Sequence, residues 1–175
     1  NSTTRFVITE VYSDRKQFLP LLLIGDESET MIDRYIGQGN LYAGFLDGVP
    51  IAVVMTVSID STTVEVKNLA VADRFRRQGY GRRMLRHIEN RHPGKNILIG
   101  TGETPSTLRF YKSCGFTYSH RIPDFFTDNY PDPIIEEGVR LRDMIYLKKS
   151  VSGGDSLTAK GFQGDGGAGY GIAAV

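Results

Sequence analysis

The densest chemistry in the chain lies in one stretch, Val71-Ala72-Asp73-Arg74-Phe75-Arg76-Arg77-Gln78-Gly79-Tyr80-Gly81-Arg82. Ahead of it, Val64, Val66, Leu69 and Val71 alternate as a strand does; after it, Met84, Leu85 and Ile88 share one helical face. The stretch is therefore a turn that opens a helix. Gly79 and Gly81 lack the Cβ atoms that would keep a ligand from the backbone, and the first N–H groups of a helix have no intrahelical acceptor. Those donors and the positive end of the helix dipole suit an anion such as a pyrophosphate, and arginine forks add charge. A purely structural turn is the competing reading. The three-glycine dinucleotide fingerprint and the G-x-x-x-x-G-K-[ST] loop of nucleotide hydrolases are both missing from the sequence.

Arg76-x-x-Gly79-x-Gly81 matches a [QR]-x-x-G-x-[GA] pattern, and two further segments, one before it and one after, fall in order around it. Val64 to Val71 resembles the strand, and Leu108-Arg109-Phe110-Tyr111-Lys112-Ser113-Cys114-Gly115-Phe116 the later helix and Gly-Phe turn, of the GCN5-related N-acetyltransferases, the GNAT superfamily. The resemblance covers roughly residues 5 to 149. It implies the GNAT fold, an α/β architecture with a mixed, mostly antiparallel twisted sheet flanked by helices, and acetyl-CoA as the acetyl donor. It implies pyrophosphate contacts from Arg76, Arg77, Gln78, Gly79, Tyr80, Gly81 and Arg82. The pantetheine arm and the thioester carbonyl would lie along Leu69, Ala70 and Val71. Asp124-Phe125-Phe126, Asn129-Tyr130 and Arg142-Asp143-Met144 also resemble a group of small bacterial GNAT proteins.

Acetyl transfer to an amine needs an unprotonated amine, support for an oxyanion and a proton for the departing thiolate. Tyr111 matches the tyrosine that serves as that acid in many GNAT enzymes; a core aromatic is the alternative. Glu65 matches a position from which some take a general base. Even spacing places it on one face with Lys67, Leu69 and Val71, and the alternative is a surface carboxylate paired with Lys67 or an arginine. Ser106 begins the Tyr111 helix, where capping or a cofactor contact would suit it. Thr104-Pro105 stands where many relatives carry an Asn.

At 175 residues and 40% hydrophobic, the chain is sized for one domain with a self-sufficient core. Net charge is only +1, yet six arginines crowd into residues 74 to 86, so the basic character is local and suits a phosphorylated small ligand better than nucleic acid. Cys114 is the single cysteine, which excludes an internal disulfide and a cysteine-cluster zinc site, and the three histidines lack metal-ligand spacing. No apolar run is long enough to span a bilayer, so no membrane role is expected and a reducing cytoplasm is the simplest home. Monomer and homodimer both remain open.

The catalytic domain is expected over 1–151, with a glycine-rich tail over 152–175 that is either flexible or an ordered arm. Within the domain, Arg5 to Val11 reads as a strand, Asp14 as the cap of a helix that Pro20 would break or kink, and Ser28 to Gln38 as a second helix. Asp47-Gly48 marks a tight hairpin between 41–46 and 49–58. Strands over 96–99, 116–122 and 139–147 and a helix over 106–114 complete the sheet. Residues 122–137 form a long insertion holding five carboxylates, three aromatics and no basic residue. Asp124, Phe125, Phe126, Asp128 and Tyr130 are its candidate acceptor contacts, since carboxylates and aromatic faces favour a cationic amine. A solvated loop with both phenylalanines buried is the alternative. The functional expectation is direct attack by a small cationic primary amine on acetyl-CoA in a ternary complex. Acetylation of a protein lysine or N-terminus, and a non-catalytic acyl-CoA sensor, are the alternatives.

Overall fold

The computed structural model describes residues 4–153, so the expectations for the tail fall almost wholly outside the described residues. Strands β1 (Phe6–Val11), β2 (Asn40–Leu46) and β3 (Val49–Ser58) form an antiparallel meander. Asp47 and Gly48 have φ of 49° and 84°, as a two-residue hairpin turn requires. Strand β4 (Thr63–Val71) adds antiparallel to β3 and parallel to β5 (Asn96–Gly102). Strand β9 (Met144–Ser150) inserts antiparallel between β5 and β6 (Thr117–Ile122), giving the order β1-β2-β3-β4-β5-β9-β6. The sheet is therefore mostly antiparallel, with one parallel pair at its centre.

Helices α3 (Tyr80–Arg91) and α4 (Pro105–Ser113) cover one face. Met84, Leu85 and Ile88 of α3 and Tyr111 of α4 pack there with Val66, Leu69, Val71, Ile97 and Ile99. The other face carries α1 (Leu19–Gly25), α2 (Glu29–Tyr35) and α5 (Phe125–Asn129). Leu22, Ile32 and Tyr35 meet Val53, Met55 and Ala70, while Phe125, Phe126 and Tyr130 meet Leu98 and Met31.

Four local expectations are corrected. Pro20 does not break a helix: a 3-10 turn at Arg15–Phe18 comes first, and the proline sits in the opening turn of α1, where a missing N–H is harmless. Asp14, at φ 50°, makes no side-chain cap. Residues 139–147 are not one strand. Val139–Arg140 is instead β8, paired with β7 (Ile135–Glu136) in a separate two-stranded hairpin that turns at Glu137-Gly138, and residues 141–143, where the Leu141 N–H bonds back to the Ile134 carbonyl, separate it from β9. The second helix is shorter than expected and is capped by Ser28, whose Oγ accepts from the Met31 N–H at 3.2 Å.

Candidate active site

The central parallel pair is short. Thr63 to Val66 pair with Asn96 to Ile99 and no further, although β4 runs on to Val71 and β5 to Gly102. The two strands fork, leaving Leu69, Ala70 and Val71 without a ladder partner on the β5 side. A bulge marks the same place on the other edge of β4: Met55 faces Asn68 and Thr56 faces Val66, so Lys67 has no residue opposite. The extra residue reverses the alternation. Val66, Leu69 and Val71 all lie on the α3–α4 face, so Glu65 lies on the opposite face from Leu69 and Val71, which corrects the even-spacing expectation. Nor is Glu65 a surface group: it is 3% exposed and its carboxylate meets the Lys67 ammonium at 3.1 Å.

The glycine turn opens α3 beside the fork. Gly79 holds φ 88° at the N-cap, and a Cβ built there would meet nothing within 4 Å. The first intrahelical donor is the Arg83 N–H, to the Gly79 carbonyl at 3.1 Å, so the N–H groups of residues 80 to 82 precede the helical ladder. Arg77 takes φ 61°, and Arg76 pairs with Asp73 at 2.7 Å. Arg82 is turned toward α4, donating to the Ser113 carbonyl at 3.1 Å and to its hydroxyl at 2.8 Å.

Arg76 and Ser106 share a cleft of about 430 Å³ with Leu23, Ile24, Glu27, Thr104, Thr107 and the hairpin residues Ile135, Glu136 and Glu137. Ser106 does not cap α4; the N-cap is Thr104, and the Ser106 N–H points to the Glu137 carboxylate at 3.4 Å. Burial holds the Glu136 carboxyl above its ordinary range, with Glu27 adding repulsion and Arg76 opposing it. Tyr111 lies one helical turn beyond Thr107 on α4, fully buried, and its hydroxyl has no hydrogen-bond partner among the described residues. Burial also pushes its phenol well above the ordinary value, so it keeps its proton.

A GNAT acetyltransferase domain matches residues 37–118. The uncharacterized N-acetyltransferase YvbK of Bacillus subtilis is 32% identical over 131 residues, 73% of this chain and 84% of that protein. The chain belongs to the GNAT family. A GNAT family acetyltransferase from Elizabethkingia anophelis, with acetyl-CoA bound, is 32% identical with a TM-score of 0.78, over 83% of this chain and 97% of that one. A Bacillus cereus protein described as IAA acetyltransferase is 31% identical with a TM-score of 0.76, over 83% and 99%. The protein is thus an acetyl-CoA-dependent N-acetyltransferase with the GNAT fold.

Acetyl-CoA fits the residues present in this GNAT enzyme. The free edge of β4 at 69–71 offers strand-type hydrogen bonds, the Gly79 turn offers donors and open space, and the Tyr111 hydroxyl is a buried polar group in need of a partner. Bound there, the thioester would supply an activated acetyl group. Among the described residues no group of His, Cys, Asp and Glu is placed to hold a metal ion.

The insertion departs from the picture of a loop lined by acceptor contacts. Phe125, Phe126 and Tyr130 are buried in a core cluster. Asp124, at φ 56°, faces Arg142 at 3.6 Å, and Asp128 lies within α5; none of the five lines the cleft. Sequence reasoning did not single out Glu27, Thr104 or Thr107 as lining residues. For Thr107 the signal was available, since it stands four residues before Tyr111 on one helix.

Proposed function

We propose that the acceptor is a small cationic primary amine and that it attacks the acetyl group directly in a ternary complex. The observation that carries this reading is the placement of three carboxylates around one cleft: Glu27 from the α1 side, and Glu136 and Glu137 from the hairpin. Arg76 also lines this cleft but is paired with Asp73 at 2.7 Å, so the three carboxylates still outnumber it and favour a second cation by Coulomb attraction. Leu23, Ile24 and Ile135 supply apolar surface for a short carbon body beside that charge. Tyr111 serves as the acid for the departing thiolate, and the proton lost by the amine passes to water or, through water, to Glu65. The single free cysteine and the lack, among the described residues, of a helix long and apolar enough to cross a membrane suit a reducing, aqueous compartment.

A thiol-release screen tests the acceptor class. The panel is 1,4-diaminobutane, phenethylamine, an amino sugar and a lysine-containing peptide, each with saturating acetyl-CoA. The small cations should be the better acceptors, and Glu136→Gln should raise their KM by about tenfold, as expected for the loss of one charge-assisted contact, without changing acetyl-CoA affinity. A peptide acetylated faster than every small amine would replace this reading with protein acetylation.

A further inference from the structure

Two walls face each other across the cleft, and one buried carboxylate joins them. The first wall is the end of α1 and the residues after it, Leu23, Ile24 and Glu27; the second is the β7–β8 hairpin with Ile135, Glu136 and Glu137. Packing does little to hold the hairpin. The 430 Å³ cleft lies on one side of it, and a second cavity of about 320 Å³, lined by Val139, Arg140 and Leu141 with Glu103, Asp124, Arg142 and Asp143, lies on the other. Ile135 and Val139 are 65% and 38% exposed. Beyond the Ser106 N–H, which points to the Glu137 carboxylate at 3.4 Å, the position of the hairpin is set at its base, where Ile134 and Leu141 are buried in the cluster that holds Phe126 and Tyr130. There the Leu141 N–H donates to the Ile134 carbonyl at 2.9 Å, and the chain enters from Tyr130 at the end of α5.

The Tyr130 hydroxyl donates to Asp26 Oδ1 at 3.1 Å. Asp26 stands between Ile24 and Glu27 of the opposite wall and is fully buried. It is itself held from two more directions, by the Ser28 N–H at 3.1 Å and the Tyr35 hydroxyl at 3.3 Å. The Tyr35 hydroxyl accepts from Asn68 Nδ2 at 3.0 Å, and the same amide donates to the Leu22 carbonyl at 2.9 Å. Asn68 is the bulge residue's neighbour on β4, at the fork. One chain of hydrogen bonds thus runs from the fork through Tyr35 and Asp26 to Tyr130, touching both walls. Gly25 lets it close this tightly: a Cβ there would overlap the Asn68 side chain.

We propose that Asp26 is a positioning residue for the acceptor, fixing through Tyr130 the separation between the α1 wall and the β7–β8 hairpin. A carboxylate removed from water is an expensive way to pack a joint, but three directed donors hold it in one geometry that apolar contacts would leave loose. Neither Asp26 nor Tyr130 lines the cleft, so the effect reaches the acceptor only through Glu27 on one side and Glu136 and Glu137 on the other. The inference rests on the reading of this cleft as the acceptor site, and it adds the residues that set its width.

Hydrogen exchange and kinetics together test it. In Tyr130→Phe, amides over 134–141 should exchange about tenfold faster, as expected when one buried hydrogen bond is lost, while β2 and β3 amides keep their wild-type rates. With 1,4-diaminobutane as the probe, the same variant should raise the acceptor KM about tenfold and leave acetyl-CoA affinity within about twofold. Asp26→Asn, whose amide oxygen still accepts, should restore most of the wild-type KM, whereas Asp26→Ala should match Tyr130→Phe. The double variant should be no worse than the worse single one. Unchanged exchange in Tyr130→Phe would overturn the proposal, as would single-variant effects that multiply, because Tyr130 would then act without Asp26. If the wild type leaves 1,4-diaminobutane unacetylated, the small-amine reading is what fails, and the exchange measurement still decides the joint. Should Asp26→Ala not fold, Tyr130→Phe alone carries both readouts.

Discussion

At Tyr111 a phenol oxygen lies in the core with no partner among the described residues, an arrangement that a purely structural tyrosine has little reason to keep. Replacing it separates catalysis from folding. Tyr111→Phe should lower kcat by about a hundredfold, the usual scale of a lost general acid, while acetyl-CoA affinity changes little. The melting temperature should not fall, because an unpaired buried hydroxyl contributes no net stability. Steady-state thiol release beside a thermal melt reads both; a wild-type kcat would return Tyr111 to the core. Tyr111 stood out in the sequence only through the resemblance of Leu108 to Phe116 to the GNAT helix and Gly-Phe turn; its residue type alone reads as a core aromatic. The insertion was not legible in the same way. Phe125, Phe126 and Tyr130 look the same in a sequence whether they face a ligand or the core, and only the partners decide: Leu98 and Met31 for the rings, Asp26 for the Tyr130 hydroxyl.

Among the elements, the glycine turn and the bulge behave differently as signals. The turn announces itself by residue type, since a residue at φ 88° is most readily glycine. Gly79→Ala should cost about 1 kcal/mol of stability from the left-handed backbone alone, because the new methyl would meet no protein atom. Gly94→Ala is its matched control: φ is 76°, the space is equally open, and the residue is not among those lining the cleft. Both variants should lose similar stability by urea titration, while only Gly79→Ala loses acetyl-CoA affinity by calorimetry. Equal affinity in the two would leave the turn a structural feature. The bulge at Lys67 has no such residue signature. Regular alternation through Glu65, Lys67, Leu69 and Val71 is what the sequence shows, and the extra residue becomes visible only once β3 is paired alongside. The same limit applied to residues 139–147, where Val139–Arg140 pairs with β7 and residues 141–143 separate it from β9, although the apolar residues suggest one strand.

For the whole molecule, Asp26 couples the fold to pH. Burial pushes its carboxyl up to about 6 from an ordinary 3.8, and the Ser28, Tyr130 and Tyr35 donors only partly offset this. The folded state therefore binds this proton more tightly than the unfolded chain does. Its stabilising contribution is fully present below about pH 4 and is lost as pH rises through 6, a span worth about 3 kcal/mol at most. Unfolding free energies from urea titrations at pH 4.5, 5.5, 6.5 and 7.5 should show the wild type losing ground to Asp26→Asn across that range. Parallel curves would mean that the carboxyl titrates normally.

Within the sheet, everything up to β4 is joined to everything from β5 onward by only the four register pairs from Thr63–Asn96 to Val66–Ile99. The His92-Pro93-Gly94 turn crosses from one part to the other just before β5 begins. A polypeptide severed in that turn should yield two pieces that reassemble by their shared core, and acetyl-CoA, if it occupies the opening of the fork and touches both arms, should tighten their association. Co-expressed pieces that copurify more completely with the nucleotide present would show it. The donor would then be a splint across the weakest seam of the sheet as well as a reagent.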